Sequence, residues 1–257
     1  MSSTPTVVRA GQMPPGTPEL PVAIVGSGAC GLTAAIALRA AGIDCVLIER
    51  DAQAQGSTAL SSGFIPAAGT QVQRAAGVTD DSAERFAHDI QAKAHGTAAP
   101  HLVTAFTEAI VPALDALQQR HGLAFELLDG FLYPGHSVRR MHTLAQRTGA
   151  ALVATLEAAA LRTGALQLGD ALVRELHVDP AGRVLGVGYV RPDGSLEHLA
   201  CRVLLLACNG FGGNPVLGDV PGNVGLGHAD LLVLDGVTYL YTATSDRTRG
   251  RYVLVWR

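Results

Sequence analysis

The chain has 257 residues, 48% of them hydrophobic and 16% charged, with a mean hydropathy of +0.25; this composition builds a sizeable core and excludes intrinsic disorder. Lys+Arg number 19 against 22 Asp+Glu, a net charge of −3, so nothing in the charge balance calls for nucleic acid or an anionic membrane. Cys30, Cys45, Cys201 and Cys208 are too scattered for a disulfide framework or a zinc site, and no apolar run approaches the ~20 residues of a membrane helix. Lys93 is the sole lysine beside abundant alanine and arginine, which points to a GC-rich bacterial coding sequence. Residues 1–20 are polar and Pro/Gly-rich, lack the apolar stretch of a signal peptide, and read as a flexible leader of a cytoplasmic globular protein.

Order is expected from Val22. The apolar run Val22–Val25 runs straight into Gly26-Ser27-Gly28-Ala29-Cys30-Gly31, an Ala-rich helix follows from Leu32 until Gly42, and Cys45–Ile48 is the next buried strand. Together these form one βαβ unit. Residues 51–78 are Gly/Ser/Ala-rich with little periodicity, a long loop of the kind that lies against a ligand. One helix is expected from near Asp80, with Phe86 and Ile90 on one face. A second spans Pro100–His121, with Pro100 suited to its first turn and Pro112 predicting a kink or break. A third covers Ala150–Thr163.

Residues 171–202 read as a three-stranded antiparallel meander turning at Asp179–Gly182 and Pro192–Gly194. The apolar run Val203–Ala207 then reads as a buried parallel strand. Beyond Leu217 the composition changes: Tyr239, Tyr241, Tyr252 and Trp256 gather there with Arg247, Arg249, Arg251 and Arg257, and 231–242 with 252–256 are expected to pair as a hairpin. The organisation is thus a leader over 1–20, a domain over 21–217 and a divergent β-hairpin tail over 218–257. The fold class is α/β: a Rossmann-type domain with a parallel sheet plus the antiparallel meander.

The glycines of Gly26-x-Gly28-x-x-Gly31 do separate work: a tight turn, backbone approach to a pyrophosphate, and close helix–strand packing. The helix that follows offers its N-terminal N–H groups and positive dipole end to phosphate. Glu49, at the end of the second strand, is placed to accept hydrogen bonds from an adenosine ribose, and Arg50 beside it lies along the base or in solvent. The bland alternative is a glycine-rich turn with a surface glutamate. In Gly56–Gly63 the small residues let backbone amides face a phosphate, with the hydroxyls of Ser57 and Thr58 as further donors; equally, these are turn and helix-cap residues.

From Val22 to about Leu217 the chain resembles the FAD-binding domain of the fumarate reductase and succinate dehydrogenase flavoproteins, a family that includes ketosteroid dehydrogenases. The resemblance is carried by the glycine loop, Glu49-Arg50, Gly56–Gly63, the segment Asp179–Val187 and Leu205-Leu206-Ala207-Cys208-Asn209-Gly210-Phe211. It implies that Gly26, Gly28 and Gly31 hold the FAD pyrophosphate, Glu49 the ribose, and Ser57 and Thr58 a phosphate. Ser61, Ser62 and Gly63 would lie near the flavin ring. Ala171 and Leu172 would touch adenine through backbone, and Ala207, Asn209 and Gly210 would complete the cradle. Members that link FAD covalently carry histidine where Ser57 stands, so the cofactor is expected to be non-covalent. The implied activity is that of an FAD-dependent oxidoreductase passing hydride between flavin N5 and an activated C–C bond of a small carboxylate or ketone, with a small-molecule substrate and an electron-transfer partner. Family members continue into a capping domain and a second glycine-rich segment that 218–257 does not resemble. Relative to them the chain therefore reads as C-terminally truncated or rearranged, and the alternative function is a non-catalytic flavin-binding remnant. No residue is singled out as proton donor. An NAD-binding module shares the glycine loop and Glu49 and is the second rival.

Two other features invite chemistry. The loop Gly135–His142 holds His136, Arg139, Arg140 and His142; it has the makings of a proton shuttle and carboxylate clamp but reads more simply as a solvated basic loop. The remaining histidines, His177 and His198 among them, share no metal spacing and read as surface or core residues. Cys30 sits at a helix N-terminus, where a thiol is acidified, and reads as a small packing residue.

Overall fold

The computed structural model describes residues 6–208 and the strands over 226–234, 237–246 and 250–256. In chain order the elements are β1 (Thr6–Arg9), β2 (Glu19–Val25), α1 (Ala29–Ala40), β3 (Cys45–Ile48), β4 (Ile65–Pro66), α2 (Gln71–Ala75), α3 (Ala83–Lys93), α4 (Pro100–His121), β5 (Glu126–Leu127), β6 (Met141–Thr143), α5 (Gly149–Arg162), β7 (Leu166–Leu168), β8 (Leu172–Val178), β9 (Val184–Val190), β10 (Leu196–Leu206), β11 (Leu226–Leu234), β12 (Val237–Asp246) and β13 (Gly250–Trp256). Among the described residues no helix is long and apolar enough to cross a membrane. The chain divides into two units, one of residues 1–57 with 156–257, the other of residues 58–155.

The first unit is a branched ten-stranded sheet. Its parallel part runs β7–β3–β2–β10, with Val22 opposite Cys45 on one side and Val203 on the other. Every residue of β3 is buried, as a strand covered on both faces requires. The antiparallel part is β8–β9–β10. A core of Ala23, Val25, Val46, Ile48, Val187, Tyr189, Leu199 and Leu204 joins both parts.

The α/β class with its parallel sheet and antiparallel meander is as the sequence reads, but three local expectations are corrected. Residues 203–207 do not start a separate strand: β10 is continuous, antiparallel to β9 over 196–200 and parallel to β2 over 200–206. No turn residue interrupts it after Gly194, so nothing in its backbone ends the strand. The leader is not loose from Thr6 onward, because β1 pairs in parallel with β8, with Val8 opposite His177, and the Ala10 N–H donates to the Val178 carbonyl at 3.0 Å. Its four-residue Thr-Val-Val-Arg run is too short to stand out against the prolines that follow. Finally, the expected strand 231–242 is two strands, β11 and β12, which form an antiparallel set with β13.

In the second unit α3 packs against α4, and α2 lies against β5 of the small antiparallel sheet β4–β6–β5. Ser82 caps α3 through its hydroxyl, and Thr70 with Gln73 forms a capping box on α2. α4 carries Pro100 at its start and ends in left-handed Gly122 (φ 76°). It continues through Pro112 unbroken, where the sequence predicts a kink or break; the lost N–H is one bond among those of a 22-residue helix.

Candidate functional site

The βαβ opening of the first unit is built by backbone crowding. Gly26 (φ 104°) donates its N–H to the Ile48 carbonyl at 2.8 Å, and a Cβ there would lie 2.6 Å from the Ala207 carbonyl oxygen. A Cβ on Gly31 would lie 2.0 Å from the Gly26 carbonyl oxygen. The ends of β2 and β10 and the first turn of α1 thus converge at a distance only glycine permits. Gly28 is the N-cap of α1 and supplies no side-chain cap. The Ser27 side chain is fully buried and its hydroxyl has no hydrogen-bond partner.

Glu49 is buried beside this turn. Its Oε2 accepts the Ser27 N–H at 2.7 Å and its Oε1 the Asp51 N–H at 3.2 Å, so both carboxylate oxygens are held by backbone. The Glu49 carbonyl accepts the Ala171 N–H at 2.9 Å, and left-handed Asp170 (φ 52°) donates to the Asp51 carbonyl at 3.1 Å. This brings the start of the meander against the end of β3. Ala207 donates to the Val25 carbonyl at 2.8 Å. Gly26, Gly28, Gly31, Glu49, Ala171 and Ala207 therefore gather around one turn, while Leu172 begins β8 opposite Val190. Arg50 is exposed and pairs with Asp51 at 2.9 Å, the solvated arrangement. Ser57 is exposed at the edge of this unit, and Asn209 and Gly210 lie outside the described residues. Gly169, whose Cβ would meet the Ala52 carbonyl oxygen at 2.8 Å, joins the same crowding; nothing in its local sequence marks it.

Thr58, Ser61, Ser62 and Gly63 belong to the second unit, where they form a tight turn. The Thr58 carbonyl accepts the Ser61 N–H at 3.1 Å and its hydroxyl at 2.7 Å, and the Ser61 Oγ accepts the Gly63 N–H at 3.0 Å. Gly63 (φ 66°) would place a Cβ 2.8 Å from the Thr148 carbonyl oxygen, and Gly149 one at 1.8 Å from the Thr58 carbonyl oxygen. The Gly149 N–H donates to the Ser61 carbonyl at 2.8 Å, so the turn is clamped to the start of α5. Sequence reading did not find Gly149, although a glycine just before an Ala-rich helix is the signal that was there.

The basic loop of the second unit is solvated only in part: Gly135 and Ser137 are exposed, whereas Arg140 and His142 are buried. Arg140 is fully buried, with its guanidinium bidentate on Asp81 at 2.8 and 2.8 Å and 2.5 Å from Asp89, over the Phe86 ring at 4.9 Å. Burial pushes the Asp89 carboxyl up, but hydrogen bonds from Arg140 and Ser137 outweigh it and hold the group at about 2. Burial likewise lowers Arg140, and the two carboxylates more than reverse that. His142 is buried, bonded to the Thr70 hydroxyl at 2.7 Å and the Arg140 carbonyl at 2.8 Å. Burial pushes both His136 and His142 below the ordinary histidine value. The loop reads as solvated because its sequence shows only charge; the matching acids, Asp89 and Asp81, lie 51 and 59 positions upstream of Arg140.

A family model described as FAD binding domain matches residues 21–235, running past the expected boundary at 217. The chain is 29% identical over 206 residues to the urocanate reductase of Eggerthella lenta, covering 79% of this chain and 34% of that protein. It is 28% identical over 200 residues to the NADH:fumarate oxidoreductase of Klebsiella pneumoniae, covering 76% and 21%. The chain thus spans about a third or less of these relatives' length. The 3-ketosteroid-Δ4-(5α)-dehydrogenase of Rhodococcus jostii, solved with 4-androstene-3,17-dione, matches with a TM-score of 0.72 and 25% identity over 85% of this chain and 53% of that one. A flavocytochrome c3 fumarate reductase in its open conformation matches at 0.69 and 25% identity over 80% and 38%.

Proposed function

The chain belongs to the FAD binding domain family, and from that premise we propose that it binds FAD as the redox centre of an FAD-dependent oxidoreductase. The observation that carries this reading is the turn between β2 and α1: a helix start with no side-chain cap, backbone too close for any Cβ at Gly26 and Gly31, and a buried hydroxyl at Ser27 awaiting a partner. These features fit a pyrophosphate, whose charge meets the positive end of α1.

On this reading Gly26, Gly28 and Gly31 hold the pyrophosphate. Glu49, pinned by two amides, accepts ribose hydroxyls with its remaining lone pairs. Ala171 and Leu172 take the adenine along backbone, and Ala207 with Asn209 and Gly210 closes the cradle. Ser57 and Thr58 hold phosphate, while Ser61, Ser62 and Gly63 flank the flavin ring. Serine at position 57 has no imidazole to form a flavin link, which supports a non-covalent cofactor. When bound, FAD supplies hydride transfer to or from an activated C–C bond. The relatives that reduce urocanate and fumarate, together with the ketosteroid dehydrogenase, favour a small carboxylate or ketone as substrate of the whole protein. An electron-transfer partner and a cytoplasmic location belong to the same proposal.

The test is the visible spectrum of the purified chain before and after FAD is added. Flavin bands, released to the supernatant by acid precipitation, are the expected result. FAD at ~100 times its Kd should add about 2.7 kcal/mol to stability, and NAD should add nothing. A colourless protein whose melting FAD leaves unmoved would overturn the reading. Reduced-dye turnover with urocanate or fumarate then separates an oxidoreductase from a flavin-binding remnant.

A further inference from the structure

The outward face of the meander carries a cluster that flavin binding does not use. Glu175 and His177 lie on β8 and His198 on β10, and one carboxylate oxygen serves both rings: Glu175 Oε2 is 2.9 Å from His177 Nε2 and 3.4 Å from His198 Nε2. The two imidazoles meet edge to face with centroids 5.2 Å apart, and the three ligand atoms all lie within 4.8 Å of one another.

The strand register explains how residues two strands apart converge. Gly188 on β9 stands opposite both Glu175 and His198, and Gly186 stands opposite His177. A Cβ on Gly188 would lie 2.7 Å from Glu175 Oε2, so the glycine opens the gap through which the carboxylate crosses β9. The face is the one turned away from the core of Val187, Tyr189, Leu199 and Cys201. His177 is 5% exposed, and its Nδ1 has no hydrogen-bond partner, so the only polar engagement of this buried ring is at Nε2, toward the cluster. His198, a partly exposed member, also lines a cleft of about 290 Å³ with the Pro14–Pro18 segment, Tyr189 and Glu197.

We propose that Glu175, His177 and His198 form a binding site for a divalent first-row transition metal of the zinc type, using two imidazole nitrogens and one carboxylate oxygen and leaving a fourth position for water. Zinc takes these donors at ~2.0–2.2 Å in tetrahedral geometry, which puts ligand atoms about 3.4 Å apart; Glu175 Oε2 already lies 3.4 Å from His198 Nε2 and 2.9 Å from His177 Nε2. Two nitrogens and one oxygen match zinc rather than magnesium or calcium, which prefer all-oxygen sets. Bound metal would tie β8 to β10 across β9. The proposal is independent of the flavin reading.

Calorimetric titration of Zn²⁺ into the chelator-stripped full chain tests it. The expected result is saturation at about one ion per chain and a melting temperature raised by the metal. His198→Ala, at the partly exposed ligand, should weaken binding by more than ~100-fold, beyond the 10–100-fold that outer-shell changes cost, and abolish the thermal shift. Glu175→Gln, which keeps the shape of the side chain, should also weaken it and covers the case in which the first variant fails to fold. A Cys30→Ser/Cys208→Ser variant, lacking the exposed thiols, should bind as the wild type does. Failure of the wild type to bind, undiminished binding in a folded His198→Ala, or loss of binding in the cysteine variant would each overturn the proposal.

Discussion

At the scale of single residues, the two units use burial in opposite ways. Gly31 is required by what surrounds it: Gly31→Ala sets a methyl 2.0 Å from the Gly26 carbonyl oxygen, and neither backbone can yield without moving α1 off β2. Overpacking of this kind costs about 1–3 kcal/mol, so urea unfolding should show that loss, and flavin retention should fall with it. A Gly31→Ala chain as stable and as yellow as the wild type would contradict the crowding described. Arg140 and its two acids are instead a buried charge cluster that must be complete. Asp89 sits at about 2 in the folded chain and near 3.9 when unfolded. Between those values the unfolded chain binds more protons, so stability rises with pH. The contribution is present above the unfolded value and is lost as pH falls from about 4 through about 2. Asp89→Asn should therefore be less stable than the wild type at neutral pH, and the gap should close as pH drops through that window. Urea midpoints at a series of pH values measure it; a gap constant from pH 7 down to pH 2 would rule out this role.

At the scale of elements, the turn Thr58–Gly63 and the start of α5 make one clamped corner within the second unit. Gly63→Val forces a branched residue to φ 66° and toward the Thr148 carbonyl oxygen, 2.8 Å from its Cβ. The strain should cost about 1–3 kcal/mol, read as a lower urea midpoint, and an unchanged midpoint would show that the corner relaxes freely. Much of the element layout was legible in the sequence. Four buried residues between a glycine and a glutamate announce β3, and Pro100 and Gly122 bracket α4 because both act through local backbone geometry. What escaped notice depends on partners far along the chain. β1 is a strand because β8 accepts it, and β10 stays whole because β9 and β2 share it end to end. The burial of Arg140 and the meeting of His177 with His198 follow from packing and register, neither of which leaves a spacing to count. For the candidate cradle, the glycines and Glu49 were visible as a motif, while Gly149 and Gly169 matter through close approaches that only three dimensions reveal.

For the whole molecule, the family match over 21–235 and the likeness to larger flavoproteins bear on what a chain of this extent can be asked to do. Gly26, Gly28, Gly31 and Glu49 lie within the first unit, whereas Thr58 and Ser61–Gly63 belong to the second, and the spectrum proposed above is taken on the full chain. The shared strand β10 has a further effect, in time rather than space. Val22 finds Val203 as its parallel neighbour, 203 − 22 = 181 positions later. During synthesis at roughly 5–20 residues per second, one edge of β2 waits roughly 10–35 seconds for its partner to be made. An unpaired edge is a template for wrong pairing. The nascent chain therefore leaves one edge of β2 open to mispairing until β10 emerges from the ribosome.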